Sequence, residues 1–216
     1  MRRAPRTELL SIAGPAGALE CVVEEPITDA EDREPGPQRF AIACHPHPLY
    51  GGTLANKVVH TLARTFQELG IATLRFNFRG VGHSAGSHDE GRGETDDALA
   101  IVEWGRRSWP GRELWLAGFS FGAYVAARAA ARARPQRLVT IAPPVARFDF
   151  ATLPAPDCPW LIVQGDADEL VDVGDVRAWV AARAPAPDLL VLPGVDHFFH
   201  GRLHELRTAL LAALAA

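Results

Sequence analysis

Lysine is almost missing from this sequence: Lys57 is the only one in 216 residues, and the positive charge rests on arginine. Lys and Arg together number 22 against 26 Asp and Glu, a formal net charge of -4. A chain without a basic excess has little with which to neutralise phosphates, which argues against nucleic acid as a partner. Cysteine is also scarce. Cys21, Cys44 and Cys158 are odd in number and far apart, forming neither a disulfide framework nor paired CxxC zinc ligands, and this usage suits a reducing compartment. Met1-Arg2-Arg3 could open a secretory leader, but Glu8, Glu20, Glu24 and Glu25 follow without the apolar stretch of about 7–15 residues that a leader needs. The expectation is a cytoplasmic protein with no membrane association. Internal repeats and low-complexity segments are absent too.

What is present is ordinary for a globular protein: 48% apolar and 22% charged residues. The length suits one domain, residues 1–216, large enough to bury a core without a metal or disulfide staple. It leaves monomer and homodimer equally open.

Periodicity places the elements. Residues 7–12 and 18–25 read as strands, the second alternating through Leu19-Glu20-Cys21-Val22-Val23, and an acidic, Pro-rich stretch from Asp29 to Pro37 reads as a loop. Phe40 to Cys44 is a continuous apolar run, as in a strand covered on both faces. Helix and strand then alternate: helix 56–69, strand 71–76, helix 94–107, strand 113–117, helix 121–134, strands 138–142 and 160–164, helix 173–183, strand 189–192 and helix 204–214. Repeated strand-helix units predict an α/β fold with a mostly parallel central sheet, helices on both faces and an antiparallel N-terminal edge. The connection from Pro143 to Pro159 is too short for a cap domain.

Gly118-Phe119-Ser120-Phe121-Gly122 lies between a strand and an Ala-rich helix, the setting a GxSxG nucleophile elbow requires. In so tight a turn the flanking glycines avoid collisions and the serine hydroxyl is lifted above the strand ends. A serine hydroxyl is a weak nucleophile at neutral pH, so an imidazole must take its proton and a carboxylate must orient that imidazole. With this elbow both partners follow the serine in the chain. The turn after the strand at 160–164 offers Asp166 and Asp168; Asp168 is preferred because it lies farther past the strand, where Leu170 and Val171 can anchor it. His197, in the turn after the last strand, is the candidate base, with the adjacent Asp196 pointing elsewhere. His200 and His204 read as a solvated helix face. For the oxyanion, Phe121 should supply one backbone N–H. The loop Cys44 to Gly52 should supply the other: Pro46 and Pro48 cannot donate, His47 is preferred, and Leu49 is the alternative ahead of Tyr50. His45 and His47 could instead be metal ligands, but the proline between them and the lack of a nearby third ligand favour a structural loop. No metal or cofactor is therefore expected.

Four motifs recur in order: His45-Pro46-His47-Pro48 with Gly51-Gly52, Arg75-Phe76-Asn77-Phe78-Arg79-Gly80-Val81-Gly82 with Ser84 and Gly86, Gly91-Arg92-Gly93-Glu94, and Gly118 to Gly122. Together they resemble the small lidless bacterial serine hydrolases of the α/β-hydrolase superfamily, near the dienelactone-hydrolase-like proteins and carboxylesterases. The resemblance covers roughly residues 38 to 200. It implies the α/β-hydrolase fold and a triad of Ser120, Asp168 and His197. Dienelactone hydrolases proper have a cysteine nucleophile, so serine at position 120 argues against dienelactone as substrate.

Tyr50, Phe119, Phe148 and Phe198 are the candidate pocket residues, with Phe121, Phe150 and Phe199 also apolar and near the expected site. Arg79-Gly80-Val81-Gly82 lacks both the GxGxxG spacing and a following Lys-Ser/Thr, and reads as a structural turn. The expected activity is hydrolysis of small or short-chain carboxylic esters through an acyl-enzyme. The alternatives are thioester cleavage or acyl transfer on the same triad, or a non-catalytic ligand-binding protein that keeps the fold.

Overall fold

The computed structural model of the protein describes residues 7–26 and 38–215; the loop expected at Asp29 to Pro37 lies outside them. Alternating sequence makes the edge of the sheet. β1 (Thr7–Gly14) and β2 (Gly17–Glu24) form an antiparallel hairpin, Thr7 opposite Glu24 and Gly14 opposite Gly17. β1 is largely exposed, whereas β2 is buried over its last four residues. Continuous apolar runs make the centre. β3 (Arg39–Cys44), β4 (Ala72–Phe76), β5 (Glu113–Phe119), β6 (Arg137–Ile141), β7 (Trp160–Gly165) and β8 (Asp188–Leu192) are mutually parallel, and β2 joins them antiparallel to β4. The eight strands lie in the order β1-β2-β4-β3-β5-β6-β7-β8.

Two core layers flank the sheet. Val58, Leu62 and Phe66 of α1 (Lys57–Glu68) and Leu206 and Leu210 of α5 (Leu203–Leu214) pack on one face. α2 (Arg92–Ser108), α3 (Phe121–Ala133) and α4 (Val173–Ala181) cover the other through Ile101, Val125 and Val176. The helix on 57–68 follows from its apolar spacing, and Asn56 starts it by accepting the N–H groups of Val58 and Val59 at 2.9 and 3.3 Å. α2 begins at Arg92, two residues before the expected start, because Glu94 reaches back to accept the Gly91 N–H at 2.8 Å.

From β3 the chain moves to β4 on one side, and from β5 onward it builds the other side. That reversal opens a crevice at the carboxyl ends of β3 and β5, where open α/β sheets place their ligands. Cys44 and Gly118 are register partners there, each at the foot of a loop. The connection from β6 to β7 contains turns but no helix or strand, so it supplies no cap over the crevice.

Candidate active site

Ser120 stands between β5 and α3 at φ 54° and ψ -120°, a left-handed backbone that costs a residue with a side chain on the order of 1–3 kcal/mol. The surroundings impose it. The Ser120 N–H donates to the Ile141 carbonyl at 2.9 Å, and the elbow presses against β3. A Cβ on Gly118 would fall 2.1 Å from the Gly122 carbonyl oxygen, and one on Gly122 would fall 2.3 Å from that of Cys44. Only glycine fits either position. Ser120 itself is half-buried, open to the crevice.

Loops from two other strands bring their side chains to it. His197 Nε2 lies 3.1 Å from Ser120 Oγ, and its Nδ1 lies 2.8 Å from Asp168 Oδ2. These partners set the tautomer, because a carboxylate can only accept and Nδ1 must then carry the proton. Asp168 Oδ1 accepts the N–H groups of Leu170 and Val171 at 2.8 and 2.7 Å, and Oδ2 also accepts from Gln164 Nε2 at 3.0 Å. Burial opposes ionisation of Asp168, but the bond and charge of His197 and the two backbone N–H groups outweigh it and hold the carboxyl below its ordinary value. The His197 N–H donates to Glu169 at 3.2 Å, and the Phe119 ring lies 5.1 Å from the imidazole.

Asp166 has a different place. Its Oδ1 accepts the Gly194 N–H at 2.6 Å, tying the turn after β7 to the turn after β8. Asp196 pairs with His200 Nδ1 at 2.8 Å on the surface, and His204 is exposed on α5.

The loop after β3 is held at its base by His45, which is fully buried. Its Nδ1–H donates to the Pro46 carbonyl at 2.6 Å, and its Nε2 accepts the Phe78 N–H at 3.0 Å, so both nitrogens are occupied and neither is a spare metal ligand. Farther along, His47 caps a 3-10 turn at Pro48–Tyr50: its Nδ1 accepts the Leu49 N–H at 3.3 Å and its carbonyl accepts from Tyr50 and Gly52. Leu49 and Tyr50 thus have their N–H groups committed inside the loop. The Phe121 N–H opens α3, where helix geometry provides no acceptor.

A cavity of about 290 Å³ lies over Ser120, lined by His47, Tyr50, Phe121, Phe148, His197 and Phe198 among others. Phe119, named above as a pocket residue, does not line it. It is fully buried with Trp115 and Ala117 on the α1/α5 face, because strand side chains alternate and every second residue of β5 points there. Phe150 and Phe199 are core residues as well. Gln164 was not anticipated as a site residue. A glutamine closing the buried apolar strand Trp160-Leu161-Ile162-Val163 is its signal, since a buried amide needs partners, and here they include Asp168 and the Val171 carbonyl. The turn at Arg79 is structural: the guanidinium grips Asp97 of α2 through two bonds of 3.0 and 2.7 Å.

The chain matches the family model described as the alpha/beta hydrolase fold over residues 49–155. A crystal structure from Xanthomonas campestris, described as an α/β serine hydrolase without lid, is 46% identical, covers 100% of this chain and 96% of that one, and superposes with a TM-score of 0.91. An α/β serine hydrolase homologue from Coxiella burnetii is 46% identical over 96% of this chain and 97% of its own, with a TM-score of 0.89. An uncharacterized protein of Rickettsia prowazekii is 38% identical over 79% of this chain and 76% of its own. With the elbow, the sheet order and these relatives in agreement, the chain belongs to the α/β-hydrolase superfamily and, like the Xanthomonas structure, carries no lid between β6 and β7.

Proposed function

We propose that the protein hydrolyses small carboxylic esters through an acyl-enzyme on Ser120. The observation that carries this reading is the unbroken chain from Ser120 Oγ to His197 Nε2 and from His197 Nδ1 to Asp168. His197 takes the hydroxyl proton as Oγ attacks the ester carbonyl, then gives it to the departing alcohol. It next removes a proton from water, which attacks the acyl carbonyl, and returns that proton to Ser120 Oγ as the acyl–oxygen bond breaks and the acid leaves. Asp168 keeps the imidazole in the tautomer with Nδ1 protonated and balances the imidazolium formed in each step.

Negative charge on the tetrahedral intermediate needs donors fixed beforehand. The Phe121 N–H at the start of α3 serves as one, and the bonds that Leu49 and Tyr50 make inside the loop support His47 N–H as the second. Each is worth on the order of 3 kcal/mol of barrier. A cavity of about 290 Å³ with Tyr50, Phe148 and Phe198 on its walls favours short acyl chains, and the open crevice admits the water of the second step.

Labelling with a fluorophosphonate, followed by peptide mapping, should place the adduct on Ser120. A p-nitrophenyl ester series of rising acyl length should then show turnover falling beyond short chains. Folded protein that takes no label on Ser120 would exclude the hydrolase reading, and equal turnover of long chains would exclude the size limit.

A further inference from the structure

The cavity over Ser120 contains one fixed charge. Arg147, on the connection between β6 and β7, lines it, and among the described residues no aspartate or glutamate does. Nearby carboxylates are engaged elsewhere: Asp168 is closed off behind His197, Glu169 receives the His197 N–H, and Asp149 accepts the hydroxyl and N–H of Thr152. Among the described residues no carboxylate pairs with Arg147, in contrast with Arg75, Arg79 and Arg207, which are bonded to Glu24, Asp97 and Glu68.

An unpaired arginine on open surface has no special meaning. Arg147 is itself exposed, but it lines the cavity that holds the nucleophile, and its backbone is fixed on both sides. The Arg147 N–H donates to the Pro144 carbonyl at 3.0 Å, and the next residue, Phe148, stacks on Tyr124 at 5.0 Å and meets Phe121 edge-on at 5.4 Å. Binding an anion would therefore order only the side chain. Beside the polar His47, Asn56 and catalytic pair, the lining has much apolar surface: Tyr50, Leu170 and Phe198 are three of the five large apolar side chains exposed among the described residues, and all three line the cavity. Apolar walls with one uncompensated guanidinium suit a ligand that has an apolar body and one negative group.

We propose that the esters turned over at Ser120 carry a free carboxylate, which Arg147 receives while the apolar part of the substrate rests against Tyr50, Phe148 and Phe198. The inference rests on the ester-hydrolysis reading and narrows it to anionic esters. The carboxylate can belong to the acyl half or to the alcohol half, and the two sources are separable by experiment.

Two matched pairs test it. In the first, p-nitrophenyl hydrogen glutarate is compared with p-nitrophenyl butyrate; in the second, 4-carboxyphenyl butyrate is compared with phenyl butyrate. The readout is the ratio of kcat/KM for the anionic ester to that for its neutral partner, in wild type, Arg147→Gln and Arg147→Lys. Normalising each protein to its own neutral ester removes general losses of folding or chemistry. In one pair the ratio should fall by roughly 2- to 5-fold in Arg147→Gln, chiefly through KM, as expected for an exposed arginine-carboxylate pair. Arg147→Lys should keep part of it, and 0.5 M salt should shrink it in wild type. The pair that responds identifies which half carries the carboxylate. Equal ratios in wild type and Arg147→Gln for both pairs, with neutral esters turned over, would overturn the inference and leave ester hydrolysis standing. No turnover of any ester together with an unlabelled Ser120 would remove both.

Discussion

Lowering the pH should weaken the fold through one buried imidazole, that of His45. Burial, reinforced by His47 and opposed by the bond to the Pro46 carbonyl, pushes its pKa from 6.5 down to about 4. The geometry agrees, because Nε2 accepts the Phe78 N–H and protonation would turn that acceptor into a donor facing a donor. The neutral form is favoured in the fold and the charged form in the unfolded chain. The stabilisation is thus fully present above pH 6.5 and is lost as the pH falls from 6.5 towards 4, where unfolding takes up close to one proton. The slope is about 1.4 kcal/mol per pH unit, or ~3 kcal/mol across the window. His47 and His60 are also shifted down by burial, so total stability will fall more steeply than one site requires. The difference between wild type and His45→Gln isolates the site. Urea unfolding of both proteins between pH 7 and pH 4 should show the variant less stable at pH 7, with the gap closing by ~3 kcal/mol at pH 4. Parallel stability curves would refute the assignment of a neutral, acceptor-bearing His45.

Asp168→Asn should reduce kcat by about 10⁴-fold while leaving ester KM close to wild type, since it disturbs the tautomer of His197 and not the cavity. Asp166→Asn weakens only the bond to the Gly194 N–H and should cost roughly 1 kcal/mol of stability with turnover nearly unchanged; the reverse ranking in a steady-state assay would transfer the acid role to Asp166. Gly122→Ala brings a Cβ to 2.3 Å from the Cys44 carbonyl oxygen, where backbone must move. Chemical denaturation should show a loss of about 3 kcal/mol or failure to accumulate folded protein, and a wild-type midpoint would contradict the packing. Burial pushes the Cys44 thiol up, the Cys21 thiol to about 12 and, less completely, the half-buried Cys158 thiol. With a disulfide reagent at pH 8, Cys158 should react first and the other two only at the rate of unfolding, which mapping of the labelled peptides would check.

Much of this site can be read along the chain because its logic is local. The elbow needs glycine on both sides of Ser120 for close approach, and Asp168 and His197 must follow strands that end on the same side of the sheet. Apolar runs and helical spacing place the strands and helices within two residues at every end, with two-residue differences, for example, where β5 continues to Phe119 and α2 starts at Arg92. The preference for Asp168 over Asp166 as the residue facing His197 is also legible, since only the farther position lets the backbone of Leu170 and Val171 turn towards the carboxylate.

What the sequence determined alone was the set of strands and helices, their parallel arrangement and the chemistry available at the strand ends. Those features depend on neighbours in the chain and on the two periodicities of backbone structure. Tertiary structure decided the rest. It put Phe119 in the core beneath His197 and left Tyr50, Phe148 and Phe198 at the cavity, because which face a strand residue meets depends on the helices covering that face. It tied Asp166 to Gly194, residues that share an environment only through adjacent strand ends. It also set Arg147 on the cavity wall with no acidic partner among the described residues, since charge balance at a site is a property of distance in space and not of position along the chain.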